Sequence, residues 1–204
     1  MNVRLKCVLW DFGDTLVDER WMQRSPPTVP QWRDVWMRHV VDGVGDAWMV
    51  GDLDMPTLAA QLAERLPMSP DDVRAHCDAC CAQIAFFAVP WRVARACALP
   101  QALVTLNPDL FSSAVVPAYQ LDGVFDAIVT SWQERSLDKA ALCTVALERL
   151  GGAIAPAEAL LIDNKVDNVA AWRARGGRGY AFIDERTFAR DLCGELADLA
   201  AVCR

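Results

Sequence analysis

Residues 8–19 read VLWDFGDTLVDE, preceded by Cys7. The apolar run at about 5–10 (LKCVLW) suits a short buried strand, and it runs directly into Asp11 and Asp14, three apart with Gly13 between them. Two readings compete for this segment. The acids shape a turn, or Asp11 is a reactive carboxylate held at the carboxyl end of a strand, where open α/β sheets keep their ligands. A lone D-x-x-D-T after a strand is more often a turn, so the rest of the chain has to decide.

Further short apolar runs occur at about 102–106 (ALVTL), 127–130 (AIVT), 159–162 (ALLI) and 179–183 (GYAFI). None alternates polar with apolar, as expected of strands in a parallel sheet covered by helices on both faces. Helical patterns separate the later runs. Segment 138–150 places Leu142, Ala146 and Leu150 on one stripe and stops at Gly151 and Gly152; segment 166–175 stops at Gly176. Strand, helix and strand in turn predict crossover units and an α/β fold.

The first two strands lie about 90 residues apart in the sequence, far more than one crossover helix of roughly a dozen residues needs. Residues 17–92 therefore read as a helical insertion, and residues 1–16 with 93–204 as the core. Within the insertion, SPDD at 69–72 offers Ser69 as N-cap, Pro70 as first helical residue and two acids in the first turn. The apolar positions that follow predict helix to about Val89. An insertion of this kind lies over the sheet's C-terminal edge as a small lid.

Three more positions join Asp11. LLIDNKVDN at 160–168 puts Asp163 at the end of another apolar run, with Asp167 four residues on. Asp163 either caps the next helix or helps hold a hard cation, and the two roles are compatible. Two strand-end carboxylates suit Mg²⁺, which takes oxygen ligands and usually only one or two carboxylates. Thr105 ends the second strand, where a hydroxyl and the N–H groups of a helix start can seat a phosphate; taken alone, a polar loop is the better reading. Lys139 opens the helix after AIVTS. A cation in a first helical turn opposes the macrodipole, which favours an anion nearby, although the cost is only a few tenths of a kcal/mol.

Bulk composition narrows the function classes. The chain has 204 residues, is 53% hydrophobic and 23% charged, and carries a formal net charge of −7, which suits one sizeable globular domain or a core plus an insert. An acidic surface disfavours nucleic-acid and membrane-surface partners. No apolar run of about 18 residues exists to span a bilayer, and the N-terminal stretch lacks a cleavage signal. A cytoplasmic protein with eight reduced cysteines is the expectation.

Taken together and in order, these segments resemble the haloacid dehalogenase-like (HAD) hydrolase superfamily over nearly the whole chain. Motif I is matched by Asp11, Thr15 and Leu16, motif II by Thr105, motif III by Lys139, and motif IV by Asp163 and Asp167. The resemblance implies a Rossmann-like core, with the insertion as a helical cap of the C1 type. It also implies a hydrolase in which Asp11 attacks a small phosphorylated metabolite to give an aspartyl-phosphate. Mg²⁺ would be held by Asp11, the Gly13 carbonyl and Asp163, with Thr105 and Lys139 on the phosphoryl oxygens and Asp167 against Lys139 or a metal-bound water.

Motif I departs from the family pattern. Phosphatases of the superfamily mostly carry a second Asp two residues after the nucleophile, as general acid and base; here that position is Gly13 and an acid stands at Asp14. Three readings stay open: a weak or specialised phosphatase, an enzyme in which Asp14 substitutes, and a protein that binds in the pocket without catalysis. A metal-independent carbon–halogen hydrolase is the other enzymatic reading, disfavoured because Asp163 and Asp167, if uncompensated, would raise the pKa of Asp11. Motif II has Leu106 and Asn107 after the Thr, and motif IV has Asn164 where a second Asp is common.

Other features read as structure. Cys77, Cys80 and Cys81 share a helical face beside His76, but no second cluster completes a zinc site, so they read as core. The tryptophans concentrate in or beside the insertion, and Arg20 and Trp21, at its start, are either a packed hinge or substrate contacts. Substrate identity and oligomeric state stay open.

Overall fold

The computed structural model describes residues 4–194 and 196–203. Strands β1 (Cys7–Trp10), β2 (Gln101–Thr105), β3 (Ala127–Thr130), β4 (Ala159–Asp163) and β5 (Arg178–Ala181) form one sheet in the order β3-β2-β1-β4-β5. Every pairing is parallel. Between β1 and β2 come helices α1 (Trp32–Val35), α2 (Gly45–Met49), α3 (Met55–Ala63), α4 (Pro70–Cys81) and α5 (Ala88–Ala96). Helix α6 (Val116–Tyr119) precedes β3, α7 (Ser131–Glu134) and α8 (Lys139–Arg149) precede β4, α9 (Val166–Ala174) precedes β5, and α10 (Glu185–Asp191) and α11 (Ala197–Val202) follow it.

The pleat of β1 explains why its sequence is apolar throughout. Val8 and Trp10 join one buried cluster with Leu103, Leu160 and Ile162, whereas Cys7 and Leu9 join another with Ala102, Val104 and Leu161. The second cluster is covered by Leu142, Cys143 and Ala146 of α8 and by Trp172 of α9. A strand buried on both faces has no side on which to place a polar residue. The order places the switch in strand succession between β1 and β4, and the register sets Trp10 beside Ile162, so Asp11 and Asp163 emerge side by side at the crevice.

The chain leaves and re-enters the core through two paired linkers. Val17 and Phe86 form an antiparallel bridge, Phe87 N–H donates to the Leu16 carbonyl at 2.8 Å, and Asp18 N–H to the Ala85 carbonyl at 3.3 Å. Ser69 caps α4 as read from the sequence, accepting from Asp72 N–H at 3.1 Å in a full capping box. The helix does not continue to Val89. It ends at Cys81, because residues 85–87 are drawn out to pair with 16–18, and α5 starts afresh at Ala88. Helix α5 packs on the core, with Val89 N–H donating to Glu185 Oε1 of α10 at 2.7 Å, so residue 92 falls inside it. Cys77, Cys80 and Cys81 are buried free thiols. Among the described residues no helix is long and apolar enough to cross a membrane.

Two segments wind as π-helix, Trp36–Val44 after α1 and Phe111–Val115 before α6. Such wide turns are rare and concentrate at functional sites. Here both put side chains into the same cavity: Trp36, Val40 and Val41 from the first, Phe111 and Val115 from the second. Asp109 ties the insertion to the loop after β2. Its Oδ1 accepts from the Trp48 indole at 2.8 Å and its Oδ2 from Met55 N–H at 2.9 Å. Asp109→Ala leaves both donors without this acceptor, so a loss of about 1.5–3 kcal/mol in unfolding free energy is expected; a urea titration returning the wild-type midpoint would show that the tie contributes nothing.

Candidate active site

The site begins where β1 stops. Asp11 N–H is held by the Ile162 carbonyl at 2.9 Å, which fixes the backbone and directs the carboxylate over the strand tips. Its Oδ1 meets Lys139 Nζ at 2.5 Å and its Oδ2 accepts from Thr15 Oγ1 at 3.3 Å. The same ammonium lies 3.1 Å from Asp163 Oδ2. One cation touching both carboxylates means that β1, β4 and the first turn of α8 converge on a single crevice. Lys139 and Asp163 are fully or almost fully buried, and Asp11 is 8% exposed.

Burial acts differently on the partners. It pushes the Asp11 carboxyl above the usual range, opposed by Lys139 and reinforced by Asp163. Burial alone would lower the Lys139 ammonium, but Asp11 and Asp163 outweigh it and hold it above the ordinary lysine value. The ion pair is the state at neutral pH, since discharging either member strands the other charge in the interior. Lys139 thus sits in a first helical turn because two carboxylates, rather than the helix, determine its place; Asp138 separately caps α8 by accepting from Ala141 N–H at 3.0 Å.

Asp163 divides its two oxygens between the start of α9 and Lys139. Its Oδ1 accepts from Lys165 N–H at 2.7 Å at the start of α9, while its Oδ2 faces Lys139. The side chain that steadies it is Asn168, whose amide lies 3.1 and 3.0 Å from its two oxygens. Asp167, assigned to the site from the sequence, is instead exposed on the outer side of α9 and does not line the cavity. One residue along a helix turns the side chain by about 100°, and that step separates the two. Thr105 is buried at the end of β2 and lines the cavity, its hydroxyl oxygen accepting from the Asn107 amide at 2.6 Å. Asn107, displaced by one from its usual place in motif II, still reaches back to the threonine.

Asp14 does not enter the site. Its backbone is left-handed, with φ of 48°, and its Oδ1 accepts from Glu19 N–H at 3.1 Å, so the carboxylate is spent on the local turn. Glu19, which sequence reasoning passed over, does line the cavity. It opens a 3₁₀ turn, Glu19–Gln23, capped by Asp18. A Cβ on Gly13 would fall 2.4 Å from Glu19 Oε2 and 3.2 Å from its Cβ; the glutamate therefore occupies the room that a side chain at 13 would need. Desolvation, then Asp14, Asp11 and Asp18, raise the Glu19 carboxyl against the pull of Lys165. The next two residues part company: Trp21 lines the cavity, whereas Arg20 is exposed and paired with Asp18 at 2.5 Å.

The donor set suits a cation that asks for few carboxylates. No group of three or more His, Cys, Asp or Glu poised for a metal occurs among the described residues; Asp11 and Asn164 line the cavity, the latter with a buried Oδ1 that has no hydrogen-bond partner, while Asp163 lies fully buried off the lining. Mg²⁺ accepts such a mixture of one or two carboxylates, neutral oxygens and water. The cavity has a volume of about 300 Å³, at the small end of ligand pockets.

No protein-family model matches the chain, nor does any curated protein. Solved structures do. A HAD-family enzyme of Bacteroides thetaiotaomicron, in complex with magnesium and inorganic phosphate, superposes with a TM-score of 0.66 at 14% identity, over 90% of this chain and 98% of that one. A HAD-like family hydrolase of Porphyromonas gingivalis gives 0.66 at 14% identity over 94% and 98%, and L-2-haloacid dehalogenase of Xanthobacter autotrophicus gives 0.61 at 18% over 98% and 89%. The chain therefore has the haloacid dehalogenase-like fold, a Rossmann-like parallel sheet flanked by helices.

Replacing Lys139 by Met leaves two buried carboxylates facing each other, and a loss of about 3–5 kcal/mol at pH 7 is expected. Carboxyls whose folded pKa is raised bind protons more tightly folded than unfolded, so this deficit shrinks as pH falls from 7 toward 5. Denaturant midpoints of the variant at the two pH values check the sign; a deficit that grows on acidification contradicts the arrangement.

Proposed function

We propose that the protein is a Mg²⁺-dependent phosphatase that hydrolyses a small phosphate monoester through Asp11. The observation that carries this reading is the Asp11 carboxylate at the tip of β1, paired with a Lys139 shared with Asp163 and open to the cavity. The metal would be held by Asp11, Asp163, the Gly13 carbonyl and the amide oxygen of Asn164, and when bound it supplies positive charge that lets an anionic nucleophile approach an anionic phosphate. The helical insertion serves as the cap.

Asp11 needs no base to activate it, being a carboxylate near neutral pH. It forms an O–P bond as the bond from phosphorus to the leaving oxygen breaks. Lys139 and the Thr105 hydroxyl receive the phosphoryl oxygens; the Asn107 amide occupies an acceptor position on Thr105 and leaves its proton free to donate. Glu19 gives its proton to the leaving oxygen. Water then attacks phosphorus and passes a proton to Glu19, the Asp11 O–P bond breaks, and phosphate leaves with Asp11 restored. Glu19 thus takes the part that neither Gly13 nor Asp14 can.

Hydrolysis of an aryl phosphate with Mg²⁺ tests the nucleophile: Asp11→Asn should fall to background, and equal activity in both proteins would rule the mechanism out, whereas silence from the wild type across a phosphate panel favours a pocket that only binds. Glu19→Gln should lose about 10²–10⁴ in turnover of alkyl esters and much less with an aryl ester, whose leaving oxygen needs no proton. Gly13→Asp alone collides with Glu19; in a Glu19→Ala background it should recover alkyl-ester turnover. A uniform loss across leaving groups would remove Glu19 from proton transfer.

Carbon–halogen hydrolysis is the second reading, favoured by Gly13 and by the dehalogenase among the similar structures. The argument against it from uncompensated carboxylates weakens here, because Lys139, Lys165 N–H and Asn168 all compensate Asp163. Release of halide from a 2-haloacid with EDTA present would establish it.

A further inference from the structure

The geometry points to a phosphate ester whose alcohol part is an apolar ring or branched alkyl group, in preference to a sugar or polyol. This rests on the phosphatase reading and follows from how the cavity divides. Its two cations, Lys139 and Lys165, come with Asp11 and Asn164 from the segments at the strand tips. The insertion contributes Trp21, Met22, Trp36, Val40 and Trp48 to the lining, and the segment after β2 adds Phe111. A phosphate held at Asp11 sends its alcohol into those walls.

The walls are also preformed. Trp36 stacks on Trp32 at 5.6 Å and meets Trp48 edge-on at 5.9 Å, and Phe12 contacts both Trp21 at 5.8 Å and Phe111 at 4.9 Å. The Trp48 indole N–H is already bound to Asp109. Such rings present mostly carbon to a set of hydroxyls, and of the lining amides Asn107 and Asn168 are bound to Thr105 and Asp163, leaving Gln23 and, at the strand tips, Asn164. Each hydroxyl buried without a partner costs roughly ten- to a hundredfold in binding, whereas carbon placed against the same rings gains from leaving water. Beyond Asp11, Lys139 and Lys165 the charged side chains on the described lining are Glu19 and Asp46, both acidic, so a second anionic group on the alcohol would meet like charge.

Cyclohexylmethyl phosphate and glucose 6-phosphate test this, since both are primary esters carrying a six-membered ring and differ chiefly in ring oxygens. Calorimetry with Asp11→Asn and Mg²⁺ measures binding without turnover. The expected result is cyclohexylmethyl phosphate bound at least about tenfold more tightly, with the preference reduced in Trp36→Ser. Equal affinity, tighter glucose 6-phosphate, or no binding of either ester overturns the inference. Should Asp11→Asn fail to fold, the wild type with the corresponding phosphonates gives the same comparison. Loss of the phosphatase reading has its own signature, wild-type hydrolysis that does not depend on Asp11, and is read separately from this ratio.

Discussion

A single buried ammonium between two carboxylates organises this molecule. Lys139 comes from the start of α8, Asp11 from the tip of β1 and Asp163 from the tip of β4, and the shared contact holds the three segments together out of water. Pairing brings the segments together but does not neutralise them. Two carboxylates and one ammonium leave a surplus negative charge, which repels a phosphate dianion and attracts a divalent cation. The orphan oxygen of Asn164 adds to that demand. In the phosphatase reading the ion is thus called for by the protein's own electrostatics, and the anionic substrate is admitted only once that surplus has been answered.

The insertion meets a different requirement. Polar strand tips can hold a phosphate, but they give no purchase on the organic part of an ester. Two π-helical turns, one in the insertion and one after β2, bring Trp36, Val40 and Phe111 to line that space. The wide turn is secured by packing: a Cβ on Gly45 would lie 2.7 Å from the Val40 carbonyl, which accepts the Gly45 N–H, so a larger residue there would open the last turn. Asp109 then joins this wall to the loop that follows β2. The apolar wall and the charged floor are in register because one carboxylate bridges them.

Much of this was legible in the sequence, and the portion that was not has a common cause. Apolar runs without alternation disclosed the strands, and Asp11, Thr105 and Asp163 were found because each stands at the end of such a run, a position that a parallel sheet turns into a site. Lys139 followed from a helix start that its charge opposes. Resolution failed wherever one residue decided a direction. Asp167 and Asn168 are neighbours on α9, and a D-x-x-x-D spacing draws attention to the carboxylate, although the amide faces Asp163. Asp14 lies as near to Asp11 in sequence as any acid, yet a left-handed backbone turns it to the Glu19 amide. The π turns carry no signature of their own: residues 36–44 show the amphipathic period of ordinary helix, and nothing in it marks the wider winding.

Glu19 is the clearest case, because its position is explained only by a residue that is missing. Gly13 leaves a space beside the nucleophile, and a glutamate six residues later extends into it; a Cβ at 13 would lie 2.4 Å from Glu19 Oε2, so a side chain there requires the glutamate to shift. A carboxyl at 13 would belong to the rigid loop of the core. Glu19 instead lies past the pairing of residues 16–18 with 85–87, on the insertion's side of the linkers. In the phosphatase reading, a proton donor carried there would tie acid catalysis to the placement of the insertion over the sheet. The nucleophile and its ion pair would be complete whether or not the cavity is covered, but the leaving oxygen would receive its proton only when the apolar wall, and the substrate group packed against it, are in place.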